Sequence, residues 1–133
     1  MQTAEAVRAA YAVSALKSVD VAAALRQLDH LMVQEQLYVN ESLNLSMLAN
    51  ALNLGPHQLS ELINTRFGVG FSRYVREHRV RAAQRMLIAE PRASVLSVGL
   101  AVGFTSQSNF YAAFREITGE VPGRYRSRHV QDG

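Results

Sequence analysis

Residues 95–119 read VLSVGLAVGFTSQSNFYAAFREITG, and their pattern decides the fold. Ser94 precedes a short apolar-periodic run and can cap it as a helix. That helix ends at Gly103, a residue type that turns the chain without steric cost. Thr105 and Ser106 then open a second helix, which carries Phe110 and Phe114 on one face and stops at Gly119. The arrangement occurs twice. Leu48, Ala49, Leu52 and Leu54 match Val98, Gly99, Val102 and Phe104 at an offset of 50. After one extra residue in the turn, Leu59, Ile63 and Gly68 match Phe110, Phe114 and Gly119 at an offset of 51. Each copy is a short helix, a turn built on Asn or Gly, and a second helix. The small residues Ala49 and Gly99 let the two helices of a copy approach closely. This is the signature of a helix-turn-helix, repeated in tandem.

Around these copies almost everything reads as helix. Asn44 can cap the first helix of the first unit, with Leu43 and Leu48 at the two ends of a hydrophobic staple. That helix runs to about Leu52, and Asn53 is a residue type that tolerates a left-handed turn. Gly55-Pro56 restarts a helix with proline at its first position, where the missing N–H costs nothing. It carries Leu59, Leu62 and Ile63 inward. A long helix over residues 71–89 links the units, and Pro91 bars its continuation. Pro122 begins a last turn or two through Arg126. Upstream, Val21, Ala24, Leu25, Leu28, Leu31 and Met32 form one amphipathic stripe. Residues 4–17 show a looser pattern through Ala4, Val7, Tyr11 and Leu16, which suits a separate helix or a linker. No strand-like alternation is present.

The predicted fold is therefore all-α: two helix-turn-helix units joined by a long linker helix, about seven helices with an N-terminal helical segment besides. The expected divisions are an N-terminal segment or linker (1–19), a first unit with the linker helix (20–90), a second unit (91–128) and a tail (129–133).

Composition narrows the function. The 133 residues include no cysteine, which excludes disulfides, thiol nucleophiles and Cys-ligated zinc. The histidines His30, His57, His78 and His129 are too scattered for a metal site, and no cofactor is expected. Apolar runs such as residues 96–104 fall well short of the ~20 residues of a membrane helix. No secretory signal is evident, so a cytoplasmic protein is expected. Glu61, Glu77, Glu90 and Glu116 sit on separate helices without a histidine in triad order, and no phosphate-cradling glycine loop occurs. Catalysis is not expected.

Residues 1–45 carry three bases (Arg8, Lys17, Arg26) against five acids, whereas residues 46–133 carry eleven bases, all arginine, against six acids. Seven of those arginines fall between Arg66 and Arg92. Guanidinium matches phosphate with a planar fork of donors, so the skew leans toward nucleic acid, although a basic helical face is often only solvated.

With these residues in place, the sequence resembles the C-terminal DNA-binding domain of the AraC/XylS family of bacterial transcription regulators. The second unit carries the family's run as Val102, Gly103, Phe104, Ser106, Phe110, Phe114, Gly119, Pro122, Tyr125 and Arg126. The first adds Leu48-Ala49, Leu59, Gly68, Tyr74, Arg79 and Ala83 to Leu87. The resemblance spans roughly residues 28–128. Residues 8–45, with Tyr11, Leu16, Met32, Glu35 and Tyr38, also resemble the adjoining segment of a subgroup whose N-terminal part is membrane-embedded. That likeness implies a C-terminal fragment, the cytoplasmic part of a longer membrane-anchored protein. Four positions depart from the family. Gly99 replaces the usual Ala, at an expected cost of roughly 1 kcal/mol in its helix. Gly70 and Val121 replace hydroxyl caps. Ala112 stands where a basic residue is frequent on the second recognition helix.

The resemblance implies binding of double-stranded DNA, with the second helix of each unit in a major groove. The base-contact candidates face away from the core: His57, Gln58, Ser60, Glu61 and Asn64 on the first, Ser106, Gln107, Ser108, Asn109 and Ala112 on the second. Gln and Asn pair with adenine, Glu accepts from the cytosine amino group, and His can donate to guanine. Arg66, Arg73, Arg76, Arg81 and Arg115 are candidates for phosphate. The resemblance makes Arg79 a structural arginine, while Arg124, Arg126 and Arg128 suit either role. Tyr74, Tyr125, Phe67, Met32 and Met86 are expected in the core.

A single chain with two such helices reads successive grooves about 34 Å apart without a dimer. The family likeness further implies RNA polymerase as a partner and an effector-sensing part outside this chain. Oligomeric state stays open. The alternative is an interaction module whose helix-turn-helix binds a protein such as RNA polymerase instead of DNA, which Glu61 and Ala112 favour by lowering the positive potential.

Overall fold

A computed structural model describes residues 15–130, so the readings of Ala4, Val7 and Tyr11 lie outside the described residues. The described chain is all-helical. The helices are α1 (Val21–Asp29), α2 (Leu45–Ala51), α3 (Pro56–Phe67), α4 (Phe71–Ala89), α5 (Val95–Ala101), α6 (Gln107–Thr118) and α7 (Pro122–Val130). Their starts follow local chemistry. Asp20 accepts from Ala23 N, Asn44 from Met47 N, Ser94 from Ser97 N and Ser106 from Asn109 N. Each side-chain oxygen satisfies a first-turn donor that the helix itself leaves open. Pro56 occupies the first position of α3, after Gly55. At Gly70 and Val121, which carry no side-chain oxygen, Tyr74 N donates to Gly70 O at 3.0 Å and Tyr125 N to Val121 O at 3.1 Å.

The chain packs as two units. The first takes the described residues up to Gln36 together with Leu43–Tyr74, and the second takes Leu37–Ser42 with Val75 onward. The boundary between these two units falls inside α4. The physical reason lies in Arg79, whose Nε donates to Tyr38 O at 2.7 Å and whose Nη2 donates to Asn40 O at 2.9 Å. Those bonds bind the Leu37–Ser42 segment to the second half of the chain.

In the first unit, α1 buries Ala24 and Leu28 and continues into a π-helical turn, His30–Gln34, that buries Leu31 and Met32. Val21, placed in the stripe by its spacing, is 38% exposed because it stands at the helix's first turn. Leu48, Ala49 and Leu52 are buried along with Leu59, Leu62 and Ile63 of α3. In the second unit the equivalents are Val98, Gly99, Val102 and Phe104 with Phe110, Ala113 and Phe114.

The repeat extends to individual hydrogen bonds. Leu54 N donates to Ala49 O at 2.9 Å, and Phe104 N donates to Gly99 O at 3.0 Å. Between them Asn53 (φ 56°) and Gly103 (φ 112°) take left-handed conformations. The second helices end alike, with Gly68 N donating to Asn64 O and Gly119 N to Arg115 O, both at 2.9 Å. These are the left-handed caps that close a helix C-terminus.

Other expectations are corrected. Gly99 is not a loosened version of an alanine position: a Cβ there would lie 2.4 Å from Phe110 Cδ2, so the aromatic ring demands glycine. Phe67 is 45% exposed rather than core, its ring covered on one side by Tyr74 at 4.9 Å between centroids. Met86 and Tyr125 are half-buried. α7 runs to Val130, not Arg126, and takes His129 and Val130 from the expected tail. Its added turn is held by His129 Nδ1, 2.9 Å from Tyr125 O, and by Arg128, which donates to Glu120.

Candidate nucleic-acid interface

Each unit presents one helix whose buried side is apolar and whose opposite side is polar. On α3, His57, Ser60, Asn64 and Arg66 are exposed and Glu61 is half-buried. On α6, Gln107, Ser108, Asn109, Ala112 and Arg115 are exposed, while Ser106 is half-buried at the cap.

The two N-termini solve the same problem differently. Gly55 has no side chain to cap α3, so Gln58 reaches back and its Oε1 accepts from Gly55 N at 2.9 Å. The other end of that amide donates to Ala15 O at 3.1 Å. Gln58 is therefore engaged at both ends in holding α3. In the second unit Ser106 supplies the cap itself, accepting from Asn109 N at 3.1 Å. Asn109, which stands 51 residues after Gln58, is thus released to donate from Nδ2 to Thr105 Oγ1 at 2.9 Å. One N–H and Oδ1 of that amide stay open to an outside partner.

The arginines divide by partner, which composition could not reveal. Arg76 Nε donates to Glu116 Oε1 at 3.1 Å, and Arg81 pairs with Glu77 at 3.3 Å. Arg79 is spent on backbone carbonyls, and its guanidinium carbon lies 5.9 Å from the Phe104 ring centre. Burial pushes its pKa down, partly offset by the nearby Glu41 carboxylate. Gly103 leaves space for this clasp, since a Cβ there would fall 2.4 Å from Tyr38 O and 2.7 Å from Arg79 Nε. Arg126 does equivalent work at the end of α4, donating to Leu87 O at 3.0 Å, Glu90 O at 3.2 Å and Ala93 O at 2.7 Å. It satisfies the last-turn carbonyl of Leu87, ties down the Glu90–Ala93 turn that follows and neutralises the negative end of the helix dipole. Arg128 pairs with Glu120. Exposed Arg66 and Arg115 lie in the last turns of α3 and α6.

Beside the outward face of α6 runs a groove of 460 Å³, whose walls include Glu41, Arg76, Thr105, Asn109, Ala112 and Glu116. The sequence does not assign Glu41 or Glu116 to the interface, because isolated acids carry no pattern. Only Glu116's place one turn beyond Ala112 could have marked it. Among the described residues no group of His, Asp and Glu is arranged to hold a metal ion, and no helix is long and apolar enough to cross a membrane.

Two turns of one geometry, each followed by a helix with a polar outer face, define a tandem helix-turn-helix protein. A family model described as "Helix-turn-helix domain" matches residues 48–128, more than half of the chain. The chain belongs to this family of helix-turn-helix DNA-binding domains, in its AraC-type form. It is 31% identical over 90 residues to the HTH-type transcriptional regulator GlxA of Rhizobium meliloti (strain 1021), covering 68% of this chain and 28% of that protein. It is 28% identical over 94 residues to the probable transcription factor PqrA of Proteus vulgaris, covering 71% of this chain and 76% of that one. The chain thus spans less than a third of GlxA but three quarters of PqrA. Among solved structures, an AraC-type transcriptional regulator from Chromobacterium violaceum aligns at TM-score 0.68 and 25% identity, over 83% of this chain and 95% of that one. The DNA-binding domain of AdpA, solved with a target DNA, aligns at TM-score 0.69 and 22% identity, over 80% and 95% respectively, a likeness of fold.

Proposed function

We propose that this chain binds double-stranded DNA sequence-specifically, with α3 and α6 in successive major grooves, and that it regulates bacterial transcription. The observation that carries this reading is the repeat: two capped helices, each with a buried apolar side and a polar side left open. A major groove admits one such helix, and polar side chains read base edges there. The relatives named above are transcription regulators, and the AdpA domain shares the fold in a DNA complex.

The base readers on α3 are His57, Ser60, Glu61 and Asn64, with Gln58 serving the cap. On α6 they are Gln107, Ser108 and Asn109, while Ala112 offers a methyl to thymine. Ser106 orients the helix start. Arg66 and Arg115 lead the phosphate contacts, joined by Arg73, Arg76 and Arg81. Because the two helices differ in every reading position, the site is asymmetric. Activation proceeds through contact with RNA polymerase, and effector sensing lies outside this chain.

Selection from a randomised duplex library of ~20 bp at two salt concentrations tests the reading: it requires a motif in two blocks about 10 bp apart. Salt-sensitive binding without a motif would leave only backbone affinity. No binding at either salt would favour a protein-binding module.

A further inference from the structure

Asn109 is free of the duty that its counterpart Gln58 performs on α3. Ser106 caps α6 with its own side chain, accepting from Asn109 N at 3.1 Å, so the Asn109 amide is not needed at the helix start. Gln58, at the equivalent place, has its oxygen on Gly55 N and its amide nitrogen on Ala15 O. The Asn109 amide is tethered instead: Nδ2 donates to Thr105 Oγ1 at 2.9 Å, and both residues are exposed on the wall of the groove beside the outward face of α6. The tether sets the rotamer and the amide plane before a ligand arrives, which lowers the cost of ordering the side chain. A primary amide has two N–H donors and one oxygen acceptor, so one donor and the acceptor remain for that ligand. In a major groove adenine presents their complement, the N7 acceptor beside the N6 donor, whereas guanine presents two acceptors, N7 and O6. Residues at the start of a recognition helix are the ones that reach base edges.

We infer that Thr105 is a positioning residue for base recognition: it holds Asn109 as a reader of adenine, a device that the α3 half of the site lacks. The inference rests on the DNA-binding reading and names the base that one reader takes. Asn109 Oδ1 accepts from adenine N6, and the remaining N–H donates to N7. Against guanine, Oδ1 would face O6 with no proton between the two acceptors. Without the tether the amide can turn an N–H toward O6, and ordering it again for adenine costs only the duplex that uses it. Preference for adenine then falls while general affinity for DNA stays.

The test uses the full chain and a fixed duplex selected as above, with each base pair of the site changed in turn and binding followed by anisotropy. Asn109→Ala is expected to reduce the preference for adenine at one position by about 5-fold or more. Replacing that adenine by 7-deazaadenine should weaken the wild-type complex and leave the Asn109→Ala complex unchanged. Thr105→Val, which keeps the shape and removes the hydroxyl, should cut the same preference about 2- to 5-fold. Thr105→Ser, which keeps the hydroxyl, should retain it, and Thr105→Val in an Asn109→Ala background should leave base preference unaltered. Each preference is a ratio of affinities on one variant, so any loss of folded protein cancels. Preferences unmoved by Asn109→Ala or by Thr105→Val overturn the inference while the DNA-binding reading stands. So does a Thr105→Val loss that is equal for all duplexes, which would place the hydroxyl on the DNA backbone. Absence of duplex binding by the wild-type chain overturns both.

Discussion

Gly99 and Phe110 form a matched pair: the ring occupies the space where any side chain at 99 would begin, with Cδ2 at 2.4 Å and Cγ at 2.7 Å from an added Cβ. In the first unit the corresponding residues are Ala49 and Leu59, both buried. One copy holds a small side chain against an aliphatic one, and the other holds none against an aromatic one. Volume is kept while its distribution between the two helices changes, as close-packed interiors require.

Gly99→Ala is therefore expected to destabilise the chain by about 1–2 kcal/mol, because overpacking outweighs the helix-propensity gain. Phe110→Leu should partly rescue it. A double-mutant cycle in urea should give a favourable coupling of about 1 kcal/mol or more. Additive effects would show that the two positions do not constrain each other.

Arg126→Ala should cost about 2–3 kcal/mol, since one carbonyl in the last turn of α4 and two in the turn that follows lose a charged donor. Its effect on DNA binding should disappear once the folded fraction is accounted for, leaving the salt slope unchanged. A flatter slope would assign Arg126 to a phosphate instead.

Gln58→Ala should destabilise α3 by about 0.5–1 kcal/mol, and Gly55→Ser should restore most of it by supplying the cap that Ser106 supplies in the second unit. Space allows this, because a Cβ at 55 would meet only Gln58 Oε1, at 3.7 Å. Thermal melts of the single and double variants check it; failure of the rescue would place the weight of Gln58 on its bond to Ala15 O.

Glu61→Ala should shift base preference in one half of the site, whereas Arg115→Ala should weaken binding to all sequences and flatten the salt slope by about 0.9. Library selection with each variant separates the two. Equal affinity losses and equal slopes would remove the division between reader and phosphate contact.

Glu120 titrates below the ordinary carboxylate range, chiefly through its hydrogen bond from Arg128. A folded-state pKa lowered in this way stabilises the native chain above the unfolded pKa, and that stabilisation is lost as pH falls through the folded one. The Glu120 carboxyl signal followed by NMR should accordingly move to higher pKa in Arg128→Gln. An unmoved titration would detach the shift from this pair.

Much of the candidate site could be read from the chain alone, because the polar faces of α3 and α6 are complements of apolar faces with helical spacing. Gln58 could not be assigned its cap so directly. It shares the outward-facing set with His57 and Glu61, and only the absence of a side chain at Gly55 hints at its use. The aromatic character of Phe67 suggests core without showing that it lies at the unit's edge, where it is exposed. The spacing that puts Val21 in the apolar stripe likewise does not show that it stands at the open first turn of α1.

The sequence by itself determined the helices, their caps and the tandem repeat. These depend on residues three to five apart, on glycine or asparagine at a left-handed turn and on 3.6-residue spacing. Tertiary structure decided which acceptors Arg76, Arg79 and Arg126 reach. Arg79 finds Tyr38 O from 41 residues away, Arg126 finds Leu87 O from 39, and Arg76 finds Glu116 from 40. A guanidinium serves carbonyl, carboxylate and phosphate alike, so its composition and spacing leave the partner open until folding brings one acceptor within reach.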